Sequence, residues 1–373
     1  MQKTHRKAIK REKSISLYRP FESVKEAALY RVEENKIRCT ACARYCKLAD
    51  GQTGLCGIRQ NVSGRLMLLA YGRIIAGHID PIEKKPLVHF NPGTSIFSVA
   101  TTGCNWLCQY CQNFDISQRR RIEGQKMDPA EIVEMAVRYG ADGIAYTYNE
   151  PTIFLEFARD IGLEAHRRGL FNIFVSNGYG TPEAAEMAAT FLDAITVDFK
   201  GNASPAFIRK YIGVPSAEPI FHYVPALASK GVHVEFTDLI VPEVGDDLEA
   251  ARKLCGWILA NFGAEAPIHF LRFHPDYKMM NIPQTPVRTL EEHCKIAKEV
   301  GLRFVYIGNV PGHPLENTYC PNCGKVVVGR YGFDITSWKL DASNRCLSCG
   351  YQLPIHGRLS AHHSRNRFLP VIN

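Results

Sequence analysis

Nowhere in the 373 residues does an apolar run reach the length of a membrane span, although 46% of the residues are hydrophobic. The N-terminal stretch also lacks the apolar segment of a secretory signal and a clear amphipathic stripe, so a flexible arm is expected there. These absences lead us to expect a soluble, cytoplasmic protein with room for one large domain and small additions. A basic body is missing too. Of the net charge of +8, residues 1–20 carry +6 and residues 357–373 carry +3, which leaves −1 for everything between. The charge sits in two expected loose tails, which argues against a nucleic-acid partner. No GxGxxG follows the first expected strand, which disfavours a flat dinucleotide-binding sheet.

What the chain does have is cysteine, thirteen of them. With no export signal, that number points to metal ligation and away from disulfides. The cysteines sort into groups. Cys39, Cys42, Cys46 and Cys56 form one set; Cys320, Cys323, Cys346 and Cys349 form another. Cys255 and Cys294 fall singly within expected helices and read as core. The remaining three, Cys104, Cys108 and Cys111, stand in TTGCNWLCQYCQN at spacing CxxxCxxC. Structural zinc closes with four ligands, and a four-iron cluster has four corners. Three thiolates therefore leave one iron without a protein ligand, and that open position is a candidate reaction site.

Between residues 95 and 309 expected strands alternate with helices: 95–101, 143–148, 172–177, 194–199, 234–241, 268–273 and 303–308. Asp128, Pro129 and Glu131 read as an N-cap, an N1 proline and a capping-box acid, with Gly140 ending that helix. Thr289 and Glu292 repeat the capping box, closed by Gly301, while Gly169 and Gly231 end helices just before strands. Repeated βα units imply parallel strands with right-handed crossovers. The span is short for eight units, so the expected fold is α/β, a partial (β/α)6 TIM-like barrel with a short seventh strand.

Function in such folds gathers at the carboxyl ends of the strands. The cysteine loop directly follows the first strand. The same rim should present Glu150, Ser176, Asn177, Asp198, Lys200, His274 and Asn309 at successive strand ends. Each alone reads as a solvated turn residue; together with the triad they read as a site.

The triad, with Tyr110 before its last cysteine on the loop after strand one, resembles the radical S-adenosylmethionine (radical SAM) superfamily. That resemblance implies an oxygen-sensitive enzyme in which Cys104, Cys108 and Cys111 hold a 4Fe-4S cluster. Its open iron would chelate S-adenosylmethionine, whose reductive cleavage yields a 5′-deoxyadenosyl radical that abstracts hydrogen from substrate. It further implies that Glu150 receives the ligand's amino group and that Tyr110 faces the adenine. Asp198-Phe199-Lys200 resembles the Asp-x-Lys motif of pyruvate formate-lyase activating enzyme, with Lys200 on the ligand carboxylate. His274, in LRFHPDYK, resembles the histidine aimed at the ribose, and LIVPEVGDD (239–247) is similar to the same enzymes' fifth-strand region. Four stretches, CTACARYCKLADGQTGLCGIRQN, DPIEKKPLVHFNPG, TTGCNWLCQYCQNFDISQ and GNVPGHPLENTYCPNCG, resemble the radical SAM enzyme of the AmmeMemoRadiSam system. That resemblance implies two further proteins of the system as partners, and an electron donor such as flavodoxin or ferredoxin.

The last four cysteines form two knuckles, CPNC and CLSC, around a β-rich insert and read as a zinc ribbon. The first four suit either structural zinc or an auxiliary iron–sulfur cluster. DPIEKKPLVHF reads as a packed connector into the barrel. The expected organisation is a basic arm (1–24), a four-cysteine module with connector (25–94), the barrel (95–313), the ribbon (314–357) and a basic tail (358–373). One module precedes the first strand and one follows the last, so both are expected to cover the open side of the barrel. A covered cavity suits a small-molecule substrate. The alternatives are a glycyl-radical-enzyme activase acting on a partner protein, and a non-catalytic zinc or iron–sulfur scaffold.

Overall fold

The computed structural model describes residues 24–363 and 368–372. The basic arm, apart from its last residue, lies outside them. One nine-stranded sheet dominates. Its strands are β1 Ala76–Pro81, β2 Ser95–Ala100, β3 Gly143–Tyr146, β4 Phe171–Ser176, β5 Ala194–Lys200, β6 His233–Ile240, β7 Ile268–Arg272, β8 Val305–Gly308 and β9 Leu369–Ile372. The spatial order is β8-β7-β6-β5-β4-β3-β2-β1-β9. From β2 to β8 all pairs are parallel, whereas β1 runs antiparallel to β2 and β9 antiparallel to β1. The seven parallel strands match the expected ones to within about two residues at each end. The two antiparallel strands were not expected. Part of the tail read as loose is thus an edge strand, and Ile372 packs onto Gly77.

The parallel strands are nearly continuous apolar runs; every residue of β3 (GIAY) is buried. That is what burial on both faces demands. The outer face is covered by six helices: α1 Pro129–Arg138, α2 Leu155–Arg167, α3 Pro182–Ala188, α4 Glu218–Ala228, α5 Leu248–Phe262 and α6 Val287–Val300. Asp128 caps α1 by accepting from Glu131 N–H, and the Glu131 carboxylate accepts from Asp128 N–H in return. The second capping box does not form. Helix α6 begins at Val287, so Thr289 already lies inside it and its carbonyl accepts from His293. Asp247 caps α5, accepting from Glu249 and Ala250 N–H. Cys255 and Cys294 are buried on α5 and α6, as expected of core thiols.

Residues preceding β1 form two small antiparallel sheets, β-strands Lys25–Glu26, Arg65–Leu68 and Arg59–Val62 in one and Tyr30–Glu33, Lys36–Cys39 and Lys47–Leu48 in the other. This module packs over the loops after β3 and β4. Ala43 N–H donates to Tyr179 O at 3.0 Å and Thr181 Oγ1 to Thr40 O at 2.6 Å. Beneath them the buried Arg59 forks onto Glu156 of α2 and also donates to Ile153 O at 2.7 Å.

The C-terminal module is a three-stranded sheet, Thr318–Tyr319, Val326–Tyr331 and Asp334–Trp338, seated against β8 and the connector after β1. His89 of the connector is at the junction. Its Nδ1 lies 3.2 Å from Pro354 O, which can only accept, so Nδ1 carries the proton and Nε2 accepts from Tyr306 OH at 2.7 Å. Arg330 ties Thr318, Glu316 O and Val88 O together. The expectation that both modules cover the open side therefore needs correction. The C-terminal module lies on the β8 side, but the N-terminal one sits over β3 and β4.

Candidate active site

A single cavity of about 540 Å³ is lined by residues from all seven parallel strands or the loops that follow them. One cavity can touch all of them only if the sheet curls around it. At its rim are Cys104, Cys108 and Cys111, on the loop after β2, together with Tyr110 and every rim residue read from the strand pattern: Glu150, Ser176, Asn177, Asp198, Lys200, His274 and Asn309.

The loop is anchored closely. Cys104 Sγ accepts from Trp106 N–H at 3.5 Å, and Cys111 Sγ lies 3.1 Å from Ser117 Oγ. Leu107 and Gln109 N–H donate to the Ile212 and Tyr211 carbonyls. Tyr110 is buried, its ring 5.7 Å from Phe207 and 6.4 Å from Phe273. Burial pushes the Cys108 thiol up to about 12 and the Cys104 and Cys111 thiols in the same direction, with Lys200 opposing at Cys108 and Cys111. Thiols held this way ionise only with a cation beside them. Three soft sulfur donors facing one cavity fit an iron–sulfur cluster.

Glu150 is buried and heavily used. It accepts from Thr152 N–H at 3.1 Å, from the Thr152 hydroxyl, from Ser176 Oγ at 2.8 Å and from Asn177 N–H at 2.8 Å. Its carboxylate therefore pins the ends of β3 and β4 together, and burial raises its pKa. Across the cavity Lys200 pairs with Asp198 at 2.5 Å, and Thr237 Oγ1 donates to Asp198 at 2.7 Å. His274 is exposed at the mouth, with Nδ1 3.1 Å from Asp276. Asn309 donates to Arg272 O at 3.1 Å.

The pattern of strand ends missed the opposite wall. Lys84 and Lys85, read as packed connector, line the cavity with Tyr148. Asp80 accepts from Lys84 Nζ, Lys85 Nζ and Tyr148 OH, each at 2.7 Å. Lys85 is buried with Nζ 4.7 Å from the Tyr148 ring centre, and desolvation lowers its pKa to about 8. Arg330 and Phe333 of the C-terminal module complete this side. No sequence spacing flags this wall; the one available signal was paired lysines beside an aspartate in a connector.

In the C-terminal set, Cys320 and Cys349 sulfurs stand 3.5 Å apart and those of Cys323 and Cys346 3.7 Å. All four lie within 4.8 Å of one another, a group able to hold a metal ion.

Comparison with known proteins follows the same lines. Residues 98–255 match the family model of the radical SAM superfamily. The chain is 43% identical over 336 residues to an uncharacterised protein of Methanocaldococcus jannaschii, covering 89% of this chain and 99% of that protein. It is 26% identical over 261 residues to the benzylsuccinate synthase activating enzyme of Thauera aromatica, covering 65% and 77% of the two chains. Among solved structures, a radical SAM methyltransferase from Sphaerobacter thermophilus aligns with a TM-score of 0.46 at 14% identity, over 58% of this chain and 67% of that one. A domain of a pyruvate-formate lyase-activating enzyme from Bacteroides vulgatus aligns at 0.39 and 16%, over 45% of this chain and 100% of that one.

Proposed function

Since the chain belongs to the radical SAM superfamily and is a radical SAM enzyme, we propose that it directs a 5′-deoxyadenosyl radical at a small polar molecule held in the 540 Å³ cavity. Cys104, Cys108 and Cys111 would hold the 4Fe-4S cluster. When bound, that cluster supplies the electron that cleaves S-adenosylmethionine. The other residues bind and orient. Lys200, fixed by Asp198 and Thr237, meets the ligand's carboxylate. Glu150 holds the β3 and β4 ends, and its Oε2, which takes Asn177 N–H, keeps a lone pair for the ligand's amino group. Tyr110 offers an apolar wall for the adenine, while His274 and Asn309 stand at the mouth for the ribose. A low-potential protein donor such as flavodoxin or ferredoxin would reduce the cluster. The two other proteins of the AmmeMemoRadiSam system would act with the enzyme or on its product. The contact-distance sulfurs of Cys320, Cys323, Cys346 and Cys349 suit structural zinc.

The observation that carries the small-molecule reading is the make-up of the cavity lining. Lys84 and Lys85 of the connector and Arg330 and Phe333 of the C-terminal module share one cavity with the triad, which narrows the room left for a protein loop. Exclusion of water protects a radical and suits a small ligand. The test is anaerobic reconstitution, followed by S-adenosylmethionine cleavage in the presence of cell extract split by size. Faster 5′-deoxyadenosine formation with the low-mass fraction, and a new mass in it, supports the reading.

One observation favours a second reading. The relative from Thauera aromatica is an activating enzyme, and the Asp198–Lys200 pair resembles that class. As an activase the protein would install a glycyl radical on a partner. A persistent glycine-centred doublet in electron paramagnetic resonance (EPR), formed on a partner protein in step with 5′-deoxyadenosine, would replace the small-molecule reading with this one.

A further inference from the structure

We propose that Cys39, Cys42, Cys46 and Cys56 hold a second four-iron, four-sulfur cluster, and not zinc, packed directly against the catalytic loop. The inference stands apart from the substrate reading above, because it rests on the lining of a separate void and not on that of the large cavity.

The two four-cysteine sets differ in size. Zinc holds thiolates at about 2.3 Å, which puts tetrahedral sulfurs about 3.8 Å apart, in van der Waals contact around the ion. The C-terminal set has that spacing, 3.5 and 3.7 Å. The N-terminal set does not close up in this way: among the described residues, no three of its sulfurs fall within 4.8 Å of one another. Instead all four cysteines line a void of about 10 Å³, room for one water-sized sphere between them. Four sulfurs drawn in around a zinc ion leave no such space. A four-iron cube holds its four thiolates farther apart, around a body larger than an ion.

The surroundings fit an anionic guest. Arg44 and Asn105 line the same void, and Arg44 Nη2 and Asn105 Nδ2 are both buried with no hydrogen-bond partner among the described residues. A buried donor left unmatched is costly, and cluster sulfides or thiolates would accept from both. Arg59 also lines the void, but its guanidinium is committed to Glu156 and Ile153 O, which leaves Arg44 and Asn105 as the donors facing the guest. Gly54 lies over the set, its Cβ position 3.7 Å from Cys46 Sγ and 3.8 Å from Cys56 Sγ.

The site touches the catalytic loop. Asn105 follows Cys104 and lies between the void and the cavity rim, where its Oδ1 accepts from Asn177 at 2.8 Å. Arg44 Nε donates to Asn105 O at 2.8 Å. Gly103 has φ 87°, and a Cβ on it would fall 2.1 Å from Cys56 O.

The test uses the full chain with the catalytic triad removed, Cys104→Ala, Cys108→Ala and Cys111→Ala together, reconstituted anaerobically with iron and sulfide. This variant leaves every residue of the N-terminal set in place. The expected result is about four iron and four sulfide per chain, with an EPR signal of a reduced four-iron cluster, against about twice that iron in the wild type. In the wild type, reduced at both sites, the signal should broaden by spin–spin coupling. Zinc at two equivalents with no iron in the triad variant would overturn the proposal, as would one iron without sulfide. If the variant came out with no metal at all, the single variant Cys39→Ser in the intact wild type decides: iron falling by half supports the second cluster, and iron unchanged overturns it.

Discussion

Lys200 and His274 lie at the carboxyl ends of β5 and β7, on different sides of the same rim. Neither is a cluster ligand, so their loss should separate ligand positioning from metal content. Lys200→Ala and His274→Ala are each expected to keep iron and visible absorption. Lys200→Ala should weaken S-adenosylmethionine binding about 10- to 100-fold, the worth of one charge-assisted hydrogen bond; His274→Ala, whose group is exposed, should lose less. Calorimetric titration of the reconstituted variants checks this, and unchanged affinity in both would remove them from the site. The rim was legible because a parallel βα pattern fixes where strand ends lie, so Glu150, Ser176, Asp198 and Lys200 could be read off the strands. The opposite wall was not. Asp80 meets Tyr148 across 68 residues, and Arg330 meets Val88 across 242. Nothing local in DPIEKKPLVHF distinguishes a lysine facing a cavity from one in a packed connector. Glu150 shows the limit from the other side: its place was legible, but its engagement by Thr152, Ser176 and Asn177 depends on how two strand ends meet.

At the scale of single elements, two segments carry strain or charge that the alternation of apolar residues cannot reveal. Gly103 opens the cysteine loop in a left-handed conformation with its α-carbon against Cys56 O. Gly103→Ala must therefore move one of the two cysteine segments. A loss of about 2–4 kcal/mol is expected from backbone strain and overpacking together. Denaturant midpoints and iron content measure it, and a variant with wild-type stability would mean that the contact is looser than it stands. Asp238, on β6, is fully buried, with Oδ1 accepting from Asn202 N–H at 3.1 Å in the turn just after Lys200. Burial raises its pKa from 3.8 to about 8. Between those values the native state binds the proton that the unfolded chain releases, so stability is fully present below the lower value and declines as pH rises through the window, by up to about 1.4 kcal/mol per pH unit. Asp238→Asn keeps the acceptor for Asn202 and cannot ionise. Its denaturation midpoints from pH 5 to 8 should lack that decline, measured as a difference from wild type so that pH effects on metal binding cancel. Parallel slopes would show that Asp238 ionises freely. A similar local limit explains α6: the Thr289–Glu292 pair has capping-box spacing, but the helix starts at Val287, one residue beyond Pro286.

Across the whole molecule, the seven parallel strands were legible because each is an apolar run followed by helix signals. β1 and β9 were not, since neither AGHIDP, between β2 and β9, nor LPVI, at the sheet edge, has a period of its own, and each forms only because a partner strand is present. The position of the two four-cysteine modules escaped for the same reason. Sequence order put both at the ends of the sheet, whereas the N-terminal module crosses to the loops after β3 and β4, fixed there by the buried Arg59–Glu156 pair.

The C-terminal module shares the cavity wall with Lys84 and Lys85 of the connector, so a metal held by its four cysteines would bear on the cavity as well as on the module's own fold. Arg330 and Phe333 reach the cavity from the strand Val326–Tyr331 and the turn that follows it, and just before that strand Cys320 N–H donates to Lys325 O at 2.8 Å. The Arg330 guanidinium, almost wholly buried, bonds Thr318 Oγ1 at 2.8 Å and Val88 O at 3.3 Å. Loss of the metal should therefore loosen the wall while leaving the triad intact, because metal binding and folding are one process in so small a module. Cys346→Ser is expected to retain its iron and still form 5′-deoxyadenosine, but to lose one zinc per chain and to couple cleavage poorly to product. In deuterated buffer the variant should yield more 5′-deoxyadenosine per product formed than wild type, since an open chamber lets the radical meet buffer components in place of substrate. Metal analysis gives the zinc, and mass spectrometry gives the ratio. Full coupling in a zinc-free variant would show that the chamber closes without the module.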